Sequence, residues 1–287
     1  MSNKTSIVPL LTSFKSNKLD TEKMINHGNN LLKNGIDYLF LAGTTGLGPT
    51  LSMSEREKIM DAFSYIPNKI ILQCGSLNME ESMDLARSAK KSKICAIGVL
   101  PPYYFTDLKR EWILNYFLKI SEIYPTIIYN YPATTGYNIT YDIINDIKKL
   151  GGNIIGIKET TPNMSDILSV KYNVDNINVY TGPGQYVLSS YRENLDGFVA
   201  GAANYGYDII KKISENHLNK EGDKYQLILN RLISLSGKYG VISSIYDIVR
   251  ILTGIDAGEP RAPFLKINDE KFHELKMEVD NIMKNNM

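Results

Sequence analysis

The feature that most constrains this chain is an alternation. Short runs rich in Ile, Val, Leu and Tyr recur between longer stretches of helical periodicity, the signature of βα units feeding a parallel sheet. Eight such runs can be read: Ile7–Leu11, Tyr38–Ala42, Ile70–Cys74, Ala96–Leu100, Thr126–Tyr131, Ile154–Lys158, Asn178–Thr181 and Gly197–Ala200. Helices are expected near 20–34, 53–65, 79–91, 108–122, 140–150, 163–172, 184–192 and 204–217. Eight of each predict a closed (β/α)8 barrel, an architecture of about 250 residues that a 287-residue chain accommodates with some surplus. An open doubly wound sheet fits less well. It would stop at fewer strands and carry a glycine-rich turn after the first, where this chain has Thr12-Ser13-Phe14-Lys15. Beyond the eighth helix the pattern is helical only, near 220–237, 239–252 and 268–285, with a breaker-rich loop from Gly254 to Pro263. We therefore expect a catalytic barrel over 1–218 and a C-terminal helical extension over 219–287.

Composition narrows the function. With 43% apolar and 22% charged residues the chain resembles an ordinary globular protein. A formal charge of +1 supplies no field for a polyphosphate, so no nucleic-acid partner is expected. Cys74 and Cys95 lie in or beside apolar runs without metal-ligand spacing, and we expect buried thiols in a reducing compartment. No apolar signal core or membrane-length run is visible, which makes a cytoplasmic protein with no membrane partner the expectation. His27, His217 and His273 fall in expected helices, far from any strand end, so neither a triad nor a metal site is foreseen.

Barrels of this type place their chemistry where strands end. The second run closes in Gly43-Thr44-Thr45-Gly46, followed by Ser52-Met53-Ser54-Glu55, which has the form of a helix capping box. Two hydroxyls flanked by glycines suit a carboxylate, although an ordinary βα turn uses the same residues. The fifth run ends in Tyr129-Asn130-Tyr131-Pro132. Its two tyrosines share parity, and if they face the interior their hydroxyls need partners and can move protons; packing alone is the other reading. Most informative is Lys158, which ends the apolar run Ile154-Ile155-Gly156-Ile157 with the parity of Ile154 and Gly156. Lysine is rarely buried, and burial favours the neutral amine, a nucleophile toward carbonyls. The alternatives are a snorkelling surface lysine or a pair with Glu159, the latter weakened because strand neighbours point to opposite faces. Pro101-Pro102-Tyr103-Tyr104-Phe105 forms an aromatic cluster after the fourth run, and Gly182-Pro183-Gly184 reads as a turn after the seventh, lacking the spacing of a phosphate loop.

Taken together, Gly43-Thr44-Thr45-Gly46, Pro102-Tyr103-Tyr104-Phe105, Tyr129-Asn130-Tyr131-Pro132-Ala133 with Thr135-Gly136-Tyr137, Gly156-Ile157-Lys158-Glu159 and Lys238-Tyr239-Gly240 resemble the dihydrodipicolinate synthase and N-acetylneuraminate lyase superfamily of Schiff-base TIM barrels. Within it the chain is most similar to archaeal 2-keto-3-deoxygluconate aldolases. The resemblance spans nearly the whole sequence. It implies that Lys158 forms the imine with pyruvate, that Tyr129 transfers the proton, and that Thr44 and Thr45 receive the carboxylate. It further implies that Thr44 and Tyr104, the latter from an adjacent subunit, complete a hydroxyl relay with Tyr129. Gly182 and Ala200 would contact substrate through their backbones, and Tyr131 would touch its distal part.

The same resemblance implies reversible cleavage of 2-keto-3-deoxygluconate to pyruvate and glyceraldehyde in an Entner-Doudoroff-type pathway, with no cofactor or metal, by a homotetramer. Departures from the pattern refine this. Thr134 stands where dihydrodipicolinate synthases resembling this chain carry an arginine. Asp107 and Gly237 stand where relatives accepting the phosphorylated acid carry arginines, so a preference for the non-phosphorylated substrate is expected. The competing readings are a sister pyruvate-dependent lyase or synthase, of the dihydrodipicolinate synthase or N-acetylneuraminate lyase kind, and a non-catalytic sugar-acid-binding homologue.

Overall fold

In a computed structural model, which describes residues 4–284, all eight apolar runs become strands. They are Thr5–Pro9, Tyr38–Leu41, Ile70–Gln73, Ala96–Val99, Thr126–Asn130, Ile154–Glu159, Asn178–Thr181 and Gly197–Val199. Each pairs in parallel with the next, and the first also pairs with the eighth through Ile7↔Val199, which closes an eight-stranded barrel. Residues 1–3 and 285–287, included in the expected barrel and extension, lie outside the described residues.

The strands are buried on both faces, which is why they read as continuous apolar runs and not as alternations. One set of side chains, including Ile7, Phe40, Ile71, Ala96, Ile127, Tyr129, Tyr180 and Val199, fills the interior. The other set meets the helices. Helix Thr21–Lys33 shows how those are specified: Asp20 accepts from Lys23 N at the N-terminus, and Met24, His27, Gly28 and Leu31 recur at helical spacing on the buried face. Truncating one such side chain, as in Met24→Ala, is expected to destabilise by about 2–5 kcal/mol. Inside the barrel, Gly98 is required by size, since a Cβ there would fall 2.4 Å from the Phe40 ring.

Three expectations are corrected. The first strand is Thr5–Pro9 instead of Ile7–Leu11: Leu10 still donates to Phe40 O, but the chain then turns outward, where Thr12 and Ser13 bond to Gly46 O and Ala257 O. The parity assigned to Ile154 fails because the register slips, Thr126 pairing Ile154 while Ile127 pairs Gly156. That irregularity sends Ile154 outward into the helix layer and leaves Gly156 and Lys158 facing in. Cys95 is exposed, not buried, because it precedes the fourth strand at the N-terminal mouth of the barrel; Cys74 is buried as expected.

The chain also forms two elements not anticipated: a small hairpin of Phe14–Lys15 with Lys18–Leu19, and a short helix, Pro132–Thr135, directly after the fifth strand. The tail folds as helices Lys220–Lys238, Val241–Thr253 and Asp269–Lys284. The first two pack on helix Ala203–Asn216 and on the C-terminal rim of the barrel. No helix among the described residues is long and apolar enough to cross a membrane.

Candidate active site

A cavity of about 550 Å³ opens at the C-terminal ends of the strands, and Lys158, Tyr129, Tyr131, Thr44, Thr45 and Gly182 all line it. Lys158 sits at the cavity floor, 4% exposed, with Nζ 3.7 Å from the centre of the Tyr129 ring and 5.7 Å from that of Phe40. No carboxylate lines the cavity and none among the described residues pairs with this amine. Burial therefore pulls its pKa down from 10.5 to about 7, against a small opposing influence from Tyr131. At neutral pH a substantial fraction is the free amine, the form that attacks a carbonyl.

Strand register delivers the partner. Tyr129 and Lys158 are opposed residues of neighbouring strands. The Tyr129 hydroxyl lies 3.1 Å from Thr44 Oγ1, and its ring stacks on Tyr131 at 6.0 Å and meets Phe40 edge-on at 5.9 Å. Burial raises the phenol to about 12, opposed by the Thr44 hydrogen bond. Tyr129 is thus a protonated phenol poised to exchange a proton with an alkoxide or alcohol above Lys158.

Thr44 and Thr45 lie in a loop whose internal bonds run Leu47 N to Thr44 O and Gly48 N to Gly43 O. These turns leave the Thr44 and Thr45 N–H groups out of the loop's own bonding, suited to an anion. The loop is fixed from behind by Arg56, on a helix opened by the anticipated capping box of Ser52 and Glu55. This buried guanidinium donates to Gly48 O at 2.9 Å and Gly75 O at 3.3 Å, tying the loops after the second and third strands together.

Behind Lys158, Glu159 points away from the cavity, as alternation requires. It accepts from Asn130 Nδ2 at 2.8 Å and from Thr161 N at 3.1 Å. Burial pushes its carboxyl up to about 7 while those hydrogen bonds oppose the rise. Asn130 also accepts from Ile139 N, so this pair anchors the segment that carries Tyr131. Thr160 was not foreseen: its buried Oγ1 has no partner and it lines the cavity. A Cβ on Gly182 would fall 2.4 Å from that oxygen, so glycine is required there by size.

Two expected site residues are placed elsewhere. Ala200 does not line the cavity, because its side chain faces the helix layer and its N–H donates to Ile7 O; Val199 and Gly201 line it instead. Tyr104 is 80% exposed on the loop after the fourth strand and is not among the cavity's residues. Lys238 and Tyr239 also lie outside, bonded to Glu278.

The model of the dihydrodipicolinate synthetase family matches residues 2–282. The chain belongs to this family. Among its relatives, a 2-dehydro-3-deoxy-phosphogluconate/2-dehydro-3-deoxy-6-phosphogalactonate aldolase of Sulfurisphaera tokodaii is 37% identical, the alignment covering 97% of each chain. The solved complex of a Sulfolobus 2-keto-3-deoxygluconate aldolase with D-KDPG superimposes with a TM-score of 0.93 at 33% identity, over 98% of this chain and 97% of that one. A pyruvate complex of a variant of the Sulfolobus solfataricus enzyme gives 0.92 at 32% identity, with the same coverage. The family member described here thus shares fold and full-length similarity with aldolases of 2-keto-3-deoxy sugar acids.

Proposed function

We propose that this protein is a class I aldolase that reversibly cleaves 2-keto-3-deoxygluconate to pyruvate and glyceraldehyde, in an Entner-Doudoroff-type degradation of sugar acids. The observation that carries the reading is a buried, unpaired Lys158 amine beneath a protonated Tyr129 in a cavity rimmed by Thr44 and Thr45. Lys158 adds to the C2 carbonyl and expels water to give an iminium. The C3–C4 bond then breaks, its electron pair passing into the enamine, while the C4 hydroxyl proton leaves through the hydrogen-bonded Tyr129 and Thr44 hydroxyls, and the same relay returns a proton to C3. Protonation of C3 and hydrolysis of the imine release pyruvate. The substrate carboxylate is received by Thr45 and the backbone beside Thr44, with Gly182 and Gly201 bordering it and Tyr131 flanking the distal hydroxyls. No metal or organic cofactor enters this scheme, because the iminium is the electron sink.

A buried phenol near pKa 12 is a poor base alone, so the relay needs a further hydroxyl. We assign it to Tyr104 of an adjacent copy in a homotetramer. The exposed Tyr104 and Phe105, in edge-on contact at 5.2 Å, support this, being aromatic surface suited to an interface. Residues 219–287 form a C-terminal extension whose helices Lys220–Lys238 and Val241–Thr253 wall the cavity, and the two unpaired thiols fit a cytoplasmic setting.

The Sulfurisphaera relative is named for phosphorylated acids and the Sulfolobus enzymes for the acid without phosphate; this chain's residues favour the substrate without phosphate. Among the described residues, Lys158 is the one charged side chain lining the cavity. Asp107 and Gly237 are exposed and supply no guanidinium, and Arg110 is committed to Asp142 at 2.7 Å and Asp146 at 2.6 Å. Steady-state cleavage of the gluconate and galactonate keto acids, each with and without a terminal phosphate, tests the proposal. Higher kcat/KM without phosphate is expected, and equal values on both would refute the preference.

A further inference from the structure

His27 is a buried titratable group that the chemistry above leaves unused. It lies fully enclosed in helix Thr21–Lys33, and burial pulls its pKa from 6.5 to about 4, so the ring is neutral. Its Nε2 lies 3.0 Å from Oδ1 of Asn204, which is equally buried. The Asn204 amide nitrogen donates one proton to Pro9 O at 2.9 Å and the other to Gly201 O, also at 2.9 Å. With both protons spent, Asn204 can only accept from the ring. The proton of His27 therefore sits on Nε2, and Nδ1 is left buried without a partner. An unpaired nitrogen in the core is a cost that packing alone does not call for.

The Asn204 amide bridges the seam where the barrel closes. The first and eighth strands bond as far as Ala200 N to Ile7 O. Pro9 has no N–H to continue the ladder, and at Ala202, the next donor in register, the backbone has already turned helical. Asn204 supplies the missing donor to Pro9 O. Its second bond holds Gly201, where a Cβ would fall 3.2 Å from Thr45 Oγ1. Pro9, Thr45 and Gly201 all line the cavity, so the bridged seam forms the wall beside the Thr45 hydroxyl.

Resting on the aldolase reading above, we propose that His27 and Asn204 are positioning residues for the carboxylate end of the substrate, holding Pro9 and Gly201 at the spacing from Thr45 that the carboxylate needs. Lys158 and Tyr129 stand on the sixth and fifth strands and take no part in the seam. Loosening it weakens the capture of pyruvate and leaves the bond-making groups in place.

The test is condensation of pyruvate with glyceraldehyde by the full-length protein. His27→Leu removes the ring donor, and Asn204→Ala removes the bridge itself. Each is expected to raise KM for pyruvate about tenfold, with kcat and KM for glyceraldehyde within about threefold of the parent. His27→Gln, whose amide carries an N–H close to where Nε2 stood, is expected to bring KM for pyruvate back to within about threefold of the parent. A purely structural role would lower the folded fraction, seen in kcat and Tm, without moving KM. An unchanged KM for pyruvate in whichever of His27→Leu and Asn204→Ala folds overturns the proposal, as does a kcat loss larger than the KM change. A His27→Gln variant no better than His27→Leu also overturns it. Borohydride reduction of the parent with pyruvate keeps the two layers of argument apart. Lys158 labelled, with KM unmoved in the variants, sinks this inference alone; no label and no condensation sinks the aldolase reading with it.

Discussion

Replacing Lys158 by methionine should abolish catalysis and stabilise the protein, and the size of the gain follows from the site. Methionine has similar length and no charge, so it fills the same slot between Tyr129 and Phe40. The ammonium pKa falls from 10.5 in an exposed lysine to about 7 here, because burial strips its hydration. Between those values the unfolded chain holds a proton that the folded chain has released. Stability of the parent therefore rises with pH across this window, and the burden imposed by the lysine is greatest at and below about pH 7. At ~1.4 kcal/mol per pH unit, that burden is about 5 kcal/mol at neutrality. Imperfect packing of the methionine between the Tyr129 and Phe40 rings offsets ~1–2 kcal/mol of it. A net gain of about 3 kcal/mol is expected for Lys158→Met, a rise in Tm of about 6 °C in a chain of this size. Thermal unfolding of parent and variant at pH 7 and again at pH 10 provides the measurement. The difference should be large at pH 7 and shrink toward pH 10, where the unfolded lysine also sheds its proton. A variant no more stable than the parent at pH 7, or a gain that does not change with pH, would refute the argument that the amine is held neutral by burial.

Tyr129→Phe should lower kcat by about 10²–10⁴ with little change in KM, since it removes a proton-transfer hydroxyl and leaves the ring that packs on Lys158 and Phe40; a kcat within threefold of the parent would show that the hydroxyl is idle. Tyr104→Phe should lower kcat by at least tenfold although this side chain is exposed in the single chain. Full activity in that variant would dismiss the relay from an adjacent copy.

Much of the fold was legible because a barrel buried on both strand faces writes eight apolar runs into the sequence, and Lys158 stood out as a charge at the end of one. Tyr129 was legible for the same reason, and Tyr131 keeps that inward parity one residue beyond the strand's end. Ile154 was misjudged because a register slip between strands leaves no compositional trace. Arg56 and Asn130 were not recognised as supports because they bond backbone groups of other segments, and Glu159 because its main partner is the Asn130 side chain on the neighbouring strand, none of which a local pattern encodes. Thr160 could have been found, since it continues the inward parity of Gly156 and Lys158 beyond the strand. Ala200 was assigned to the cavity on resemblance, one residue away from the glycine that lines it.

The central claim is that one particular amine bonds covalently to a ketone. Incubating the full-length protein with pyruvate and sodium borohydride, then digesting and weighing the peptides, tests it in a single step. The peptide containing Lys158 should gain the mass of a reduced pyruvate adduct, with loss of activity in proportion, and Lys158→Met should gain none. Adduct on another lysine, or full inactivation without any adduct, would contradict the account.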